Sequence, residues 1–174
     1  MKPRIKICCI SSIEEARIAI QFGASALGLV GQMPSGPGII TDELIHAIAR
    51  SVPPPVGTFL LTSETSAEEI INHHFKTQTN TIQLVDEVNL GSYQEIKKII
   101  PSVKLVQVVH IINEASIDEA LKLAEQVDAL LLDSGNPALD IKVLGGTGKV
   151  HNWSISRKIV EQSPVPVFLA GGLN

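Results

Sequence analysis

The chain has 174 residues, 44% of them hydrophobic and 18% charged, a length that holds one buried core but not two independent domains. A net charge of −4 and an aromatic content of 3% leave neither the basic surface nor the stacking groups of a nucleic-acid-binding protein. No run reaches the roughly 18 apolar residues of a membrane span, and the opening residues lack the apolar stretch of a signal peptide. The adjacent Cys8 and Cys9 offer neither a disulfide framework nor a metal knuckle. We therefore expect a cytoplasmic protein with no nucleic-acid or membrane partner.

Short apolar runs alternate with segments of helical spacing along the whole chain. The runs predict strands at 5–10, 26–30, 56–61, 81–84, 104–109, 129–132 and 165–170. Most of the strands read as buried on both faces, which is typical of parallel strands covered by helices. Helix starts are indicated at Ser11 and Ser12, Thr41, Ser66, Asn113 and Asn152. The pattern predicts seven strands and six helices in strict β, α order.

This order fits either an open doubly wound sheet or a (β/α)8 TIM barrel. The first strand-to-helix turn, which begins at Cys9, lacks the glycine fingerprint of a dinucleotide site. Polar or small residues instead end several different strands, as catalytic groups do in barrels. We therefore predict a single barrel domain over residues 1–174. A barrel needs eight strands, so we expect this domain to be incomplete at the C-terminus and only marginally stable when expressed alone.

Cys8 is the first candidate for chemistry. Strand alternation places Lys6, Cys8 and Ile10 on one face and Ile7 and Cys9 on the other. An isolated cysteine is more often a small buried hydrophobe. The end of a barrel strand favours function for Cys8, because a thiolate can act as a general base.

Asp133 is the second candidate, because it ends an otherwise apolar strand after Leu132. An ordinary capping or loop aspartate gives the same pattern. If the side chains of Asp133 and Cys8 both reach the barrel mouth, they supply an acid and a base to one substrate.

Two glycine-rich loops are candidates for phosphate binding, since glycine lets backbone N–H groups approach an anion and barrels bind phosphate after their late strands. The glycines concerned are Gly145, Gly146 and Gly148 in one loop and Gly171 and Gly172 in the other. Neighbouring His73 and His74 point about 100° apart on a predicted helix, which is wrong for two metal ligands on one face. We interpret both as structural, and we expect Trp153 to anchor the sixth helix.

These residues, taken together and in order, resemble the phosphoribosylanthranilate isomerase family. The resemblance spans the chain and is carried by Lys6-Ile7-Cys8 with Ile10, Gly23-Ala24, Ala26 with Gly28, Ile82-Gln83-Leu84, Leu131-Leu132-Asp133-Ser134, Gly145-Gly146-Thr147-Gly148-Lys149 with Trp153, and Gly171-Gly172-Leu173.

The resemblance implies an Amadori rearrangement of a small phosphorylated substrate in tryptophan biosynthesis, without a metal or an organic cofactor. By position, Asp133 would be the general acid that opens the ribose ring and Cys8 the general base that removes the C2 proton. Backbone amides near Gly146 and Gly172 would hold the phosphate. The oligomeric state is not implied.

The chain departs from the family pattern at three positions. Gly38 stands where a basic residue usually pairs with the anthranilate carboxylate, Val85 follows Gln83-Leu84 where a histidine is usual, and Ala170 stands where a serine is common. A Gly38→Arg substitution is therefore expected to strengthen carboxylate binding if the substrate is the family's own. If the substrate has no carboxylate there, the new side chain is expected to crowd the pocket, bury an unpaired charge and lower activity.

Two alternatives follow from these departures. Besides an isomerase of the family's own specificity, the chain could be a paralogous barrel isomerase for another amino-sugar phosphate or a non-catalytic subunit that binds a phosphorylated metabolite.

Overall fold

A computed structural model describes residues 3–34, 36–134 and 152–173. Within these ranges seven strands alternate with six helices, as predicted. The chain divides into two compact units, Met1–Lys104 and Leu105–Asn174. None of the helices within the described ranges is long and apolar enough to cross a membrane.

The first unit contains four parallel strands in chain order, each followed by a helix. The strands are β1 (Lys6–Ile7), β2 (Ala26–Val30), β3 (Gly57–Thr62) and β4 (Thr81–Leu84). The helices are α1 (Ile13–Gln21), α2 (Asp42–Ser51), α3 (Ala67–Thr77) and α4 (Leu90–Ile99). The register aligns Lys6 with Ala26, Ala26 with Gly57, and Phe59 with Thr81.

In the second unit, β6 (Ala129–Asp133) pairs in parallel with β5 (Lys104–His110) on one side and β7 (Val167–Leu169) on the other. The unit also contains α5 (Ala115–Ala124) and α6 (Trp153–Gln162). Asp133 is the register partner of His110, so both residues end their strands at the same edge.

Capping side chains set the helix starts that the sequence predicts. Ser12, Thr41, Ser66 and Asn152 each accept a hydrogen bond from a backbone N–H two or three residues on, at 3.0 to 3.3 Å. Helix α4 begins at Leu90 without a side-chain cap from Asn89, which explains why the sequence carries no start signal there.

Alternation along the strands separates the core from the opposite face of the first unit. Leu27, Leu29 and Leu60 join Ile45 and Ile48 of α2 in a cluster between the strands and α1 and α2. Residues of opposite parity on these strands therefore face away from the helices. That second face carries the candidate groups of the first unit.

Candidate functional site

Cys8 follows β1 directly, and its side chain lies on the same face of the sheet as Lys6. The Lys6 Nζ atom is 3.2 Å from Cys8 Sγ and donates a second hydrogen bond to Gln83 Oε1 of β4 at 2.5 Å. A β-carbon on Gly28 would lie 2.8 Å from Cys8 Sγ, so only glycine leaves room for this thiol. Cys8 is solvent-exposed. A reactive group at the end of a strand therefore has a cation beside it.

Cys9 differs from Cys8 in both conformation and environment. Its φ of 61° lies in the left-handed region, and β1 ends at Ile7, three residues earlier than the sequence predicts. Burial raises the pKa of the Cys9 thiol, and neighbouring Cys8 adds to this while Lys6 partly offsets it. Its Sγ donates to the Pro37 carbonyl at 3.5 Å. Both the raised pKa and the contact with Pro37 disfavour a thiolate at Cys9.

The left-handed turn at Cys9 also overturns part of the predicted alternation. Ile10 was expected on the face of Lys6 and Cys8, but it is 4% exposed and belongs to the helix-facing core cluster. The two thiols have different hydrogen-bond partners, the Lys6 ammonium for Cys8 and the Pro37 carbonyl for Cys9.

Gly38 cannot accept the side chain that the family pattern places there. Its φ is 77°, and a β-carbon at this position would lie 2.5 Å from Cys9 Cβ and 3.0 Å from Cys9 Sγ. The structure argues against the branch in which Gly38→Arg strengthens carboxylate binding, because any side chain at this position meets Cys9 and a strained backbone.

Asp133 ends β6 with its side chain buried. Its Oδ1 accepts a hydrogen bond from the Ser134 N–H at 2.8 Å. A β-carbon on Gly171, in the loop after β7, would lie 2.8 Å from that oxygen and 2.3 Å from Ser134 Oγ. The β7 loop therefore approaches the Asp133 carboxylate so closely that only glycine fits.

The structure describes only the second of the two glycine-rich loops. Gly171 and Gly172 have φ values of 79° and 63°, so two successive residues adopt a conformation that favours glycine. Gly145, Gly146 and Gly148 lie outside the described residues. Phosphate binding by either loop remains a prediction.

The histidines that we interpret as structural include one with two polar partners. His73 Nδ1 is 3.0 Å from Thr62 Oγ1, and its Nε2 is 2.9 Å from Asp42 Oδ1. The ring is buried, and a β-carbon on Gly31 would lie 2.4 Å from its Cε1. His73 therefore links α3 to β3 and to the start of α2. No group of three or more possible metal-ligating side chains occurs within the described ranges.

Sequence reasoning missed the role of Lys6. Lys6 could have been recognised as a candidate because it is a charged residue inside a short apolar run, and strand faces that are buried under neighbouring elements rarely hold an unpaired lysine. Gln83 is a similar case, as it is a polar residue of β4 that is only 5% exposed.

Comparison with known proteins identifies relatives over nearly the whole chain. The family profile of N-(5'-phosphoribosyl)anthranilate (PRA) isomerase matches residues 5–174. N-(5'-phosphoribosyl)anthranilate isomerase 2 of Methanosarcina mazei is 37% identical over 171 residues, which are 98% of this chain and 75% of the relative. The enzyme of Methanocella arvoryzae is 29% identical, over 98% of this chain and 78% of its own length.

Solved structures agree with these relatives. The crystal structure of phosphoribosyl anthranilate isomerase from Thermotoga maritima is 28% identical, covers 99% of this chain and 78% of its own, and superposes with a TM-score of 0.82. This similarity confirms the predicted (β/α)8-barrel fold class. The chain belongs to the N-(5'-phosphoribosyl)anthranilate isomerase family.

Proposed function

We propose that Cys8 and Asp133 are the general base and general acid of a phosphoribosylanthranilate isomerase. The activity itself, an aldose-to-ketose isomerisation in tryptophan biosynthesis, is that of the family. The observation that carries the assignment of the base is the contrast between the two thiols. Cys8 is exposed beside the Lys6 ammonium, whereas burial raises the pKa of the Cys9 thiol.

The proposed reaction needs one proton donor and one acceptor. Asp133, as the general acid, delivers a proton to the ribose ring oxygen, the C1–O bond breaks, and the ring opens to a Schiff base. The Cys8 thiolate then removes the C2 proton, and the electron pair left on C2 forms the enolamine that tautomerises to the ketose. Each residue directly follows or ends a parallel strand at its carboxyl end, where barrel enzymes place such groups.

The substrate is a small phosphorylated molecule, and we assign its phosphate to the backbone near Gly146, Gly171 and Gly172. The left-handed turn at Gly171 and Gly172 supports this, since such turns can direct consecutive N–H groups toward an anion. A solved phosphoribosyl anthranilate isomerase, 24% identical to this chain, is in complex with reduced 1-(o-carboxyphenylamino)-1-deoxyribulose 5-phosphate. We place the reaction in the cytoplasm, in keeping with two free cysteines.

Substitution of the two residues tests these roles. Cys8→Ala and Asp133→Asn should each lower kcat for phosphoribosylanthranilate by about 10²–10⁴-fold, because each removes a proton-transfer group. Cys9→Ala is the matched thiol control and should change kcat little. Equal losses in Cys8→Ala and Cys9→Ala would contradict the assignment of the base.

Complementation of a tryptophan auxotroph distinguishes this function from the alternatives. Growth is expected with the parent gene and not with the Cys8→Ala gene. Phosphate-ester binding without turnover by the parent protein would instead support a non-catalytic subunit. Turnover of a different amino-sugar phosphate alone would support the paralogous isomerase.

A further inference from the structure

Lys6 is a half-buried cation that contacts a thiol, an amide oxygen and an aromatic ring. Its Nζ contacts Cys8 Sγ at 3.2 Å and Gln83 Oε1 at 2.5 Å, and it lies 4.9 Å from the centroid of the Phe59 ring. Among the described residues, no carboxylate forms an ion pair with it. The positive charge of the Lys6 ammonium is therefore not offset by a carboxylate in the described part of the chain, and it acts on the Cys8 thiol beside it.

The neighbouring strands hold the lysine in this position. Ala26 and Gly57 are its register neighbours on β2 and β3, and both are small. Phe59 then presents its ring to the ammonium, and Gln83 of β4 presents a carbonyl oxygen. A cation favours both an amide oxygen and the face of an aromatic ring, so β3 and β4 fix the ammonium at the end of β1.

A cation at hydrogen-bond distance favours the anionic form of a sulfur atom over the neutral form. The same hydrogen bond also restricts rotation of the Cys8 side chain. Gly28 contributes by leaving space for Sγ above β2. The arrangement thus favours the thiolate form of Cys8 and fixes the orientation of its side chain, and no such arrangement surrounds Cys9 within the described ranges.

We infer that Lys6 is a positioning residue for the Cys8 base: its ammonium stabilises and orients the Cys8 thiolate, and Gln83 and Phe59 hold that ammonium in place. This inference rests on the proposed role of Cys8. It goes beyond that role, because it assigns the activation of the thiolate to a lysine two residues earlier in the chain.

Thiol alkylation tests the inference without turnover. In a Cys9→Ala background Cys8 is the only thiol, since the chain has two cysteines. Iodoacetamide reacts with the thiolate, which forms a carbon–sulfur bond as iodide leaves, so the rate follows the thiolate fraction. Lys6→Met should move the pH profile of this rate to higher pH, with a loss of about tenfold near neutral pH. Lys6→Arg keeps the charge and should restore most of the rate.

Two further variants make the result decisive. Arg4→Met removes an exposed cation from the same segment and should leave the profile unchanged. Gln83→Leu leaves Lys6 in the chain but removes its acceptor, and should shift the profile in the direction of Lys6→Met by a smaller amount. Thermal unfolding of each variant establishes whether it is folded. If Lys6→Met does not fold, the alkylation profile of Gln83→Leu tests the inference in its place.

Turnover gives the second readout. Lys6→Met should lower kcat and shift its acid limb to higher pH, with little change in KM. An alkylation profile that is unchanged by Lys6→Met and Gln83→Leu would overturn the inference, as would an equal shift in Arg4→Met. Failure of the proposed function is distinguishable, because it would appear as undiminished turnover in Cys8→Ala whatever the alkylation profile.

Discussion

Gly38 and Cys9 show how one backbone contact limits what a family pattern allows. Both residues have positive φ values, 77° and 61°, and a side chain at position 38 would overlap Cys9. The pattern of residue types identifies Gly38 as the departure from the family. It carries no information on the contact with Cys9, because that contact depends on a turn that strand alternation does not predict.

The first residue-scale prediction concerns Gly38→Arg. The substitution should lower the free energy of unfolding without improving kcat/KM for phosphoribosylanthranilate, because the side chain enters a strained backbone and meets Cys9. Gly23→Arg is the control, since Gly23 has a φ of 96° with nothing within 4 Å of a β-carbon. It should cost only the backbone strain, about 1–2 kcal/mol, and Gly38→Arg should cost more. Urea unfolding measures both, and a gain in kcat/KM with no loss of stability would contradict the prediction.

At the scale of whole elements, hydrophobic patterning is sufficient to place most strands. Strands β2 and β4 match the predicted ranges, and β3, β5 and β6 differ by one residue at one or both ends. These strands have nearly continuous buried apolar runs, which parallel strands under helices require. The predicted β1 and β7 were too long: β1 stops before the left-handed Cys9, and β7 covers only 167–169.

The candidate site was predicted in part. The placement of Cys8 and Asp133 at strand ends was predicted, because it depends only on the order of elements, and their catalytic roles stay a prediction. Lys6, Gln83 and the close approach of Gly171 to Asp133 were not predicted, because they depend on which residues of different strands become neighbours. Register is a tertiary property that a single sequence specifies weakly until the strands are paired.

Helix α4 supplies the second prediction through the only tyrosine of the chain. Tyr93 is fully buried, and burial, assisted by the charge of Glu87, raises its pKa to about 12, although a hydrogen bond with the Val88 backbone works in the opposite direction. Because the pKa is raised on folding, Tyr93 contributes stability that is fully present below pH 10 and is lost as the pH rises toward 12.

Alkaline titration checks this, since tyrosinate absorbance reports Tyr93 alone. The folded protein should show little ionisation at pH 10 and the denatured protein about half. Tyr93→Phe should reduce the loss of stability between pH 10 and pH 12, with other groups unchanged. Half-ionisation of Tyr93 at pH 10 in the folded protein would contradict the assigned burial effect.

At the scale of the molecule, we expect the exposed apolar surface to determine how the protein associates. In the first unit, Ile5 and Ile7 near β1 and Ile18 and Phe22 of α1 are 40% to 83% exposed, and they line a cleft of about 450 Å³. Scattered exposed hydrophobic residues are ordinary, but a contiguous group beside a cleft is a surface that water solvates poorly.

The last prediction follows from this surface. The folded protein should bind an environment-sensitive apolar dye at the cleft between β1 and α1, and should self-associate as its concentration rises, because both processes remove the same apolar side chains from water. The double variant Ile7→Thr, Phe22→Ser should reduce dye fluorescence and association with little change in the unfolding midpoint, since both side chains are already exposed. Phe75→Ser on α3, where Phe75 is 55% exposed but outside this cleft, should leave the dye signal unchanged. Fluorescence titration with sedimentation measures the two effects. If the double variant kept the parent's dye signal, the dye would report a loosened core, and the exposed apolar face would not be the cause of association.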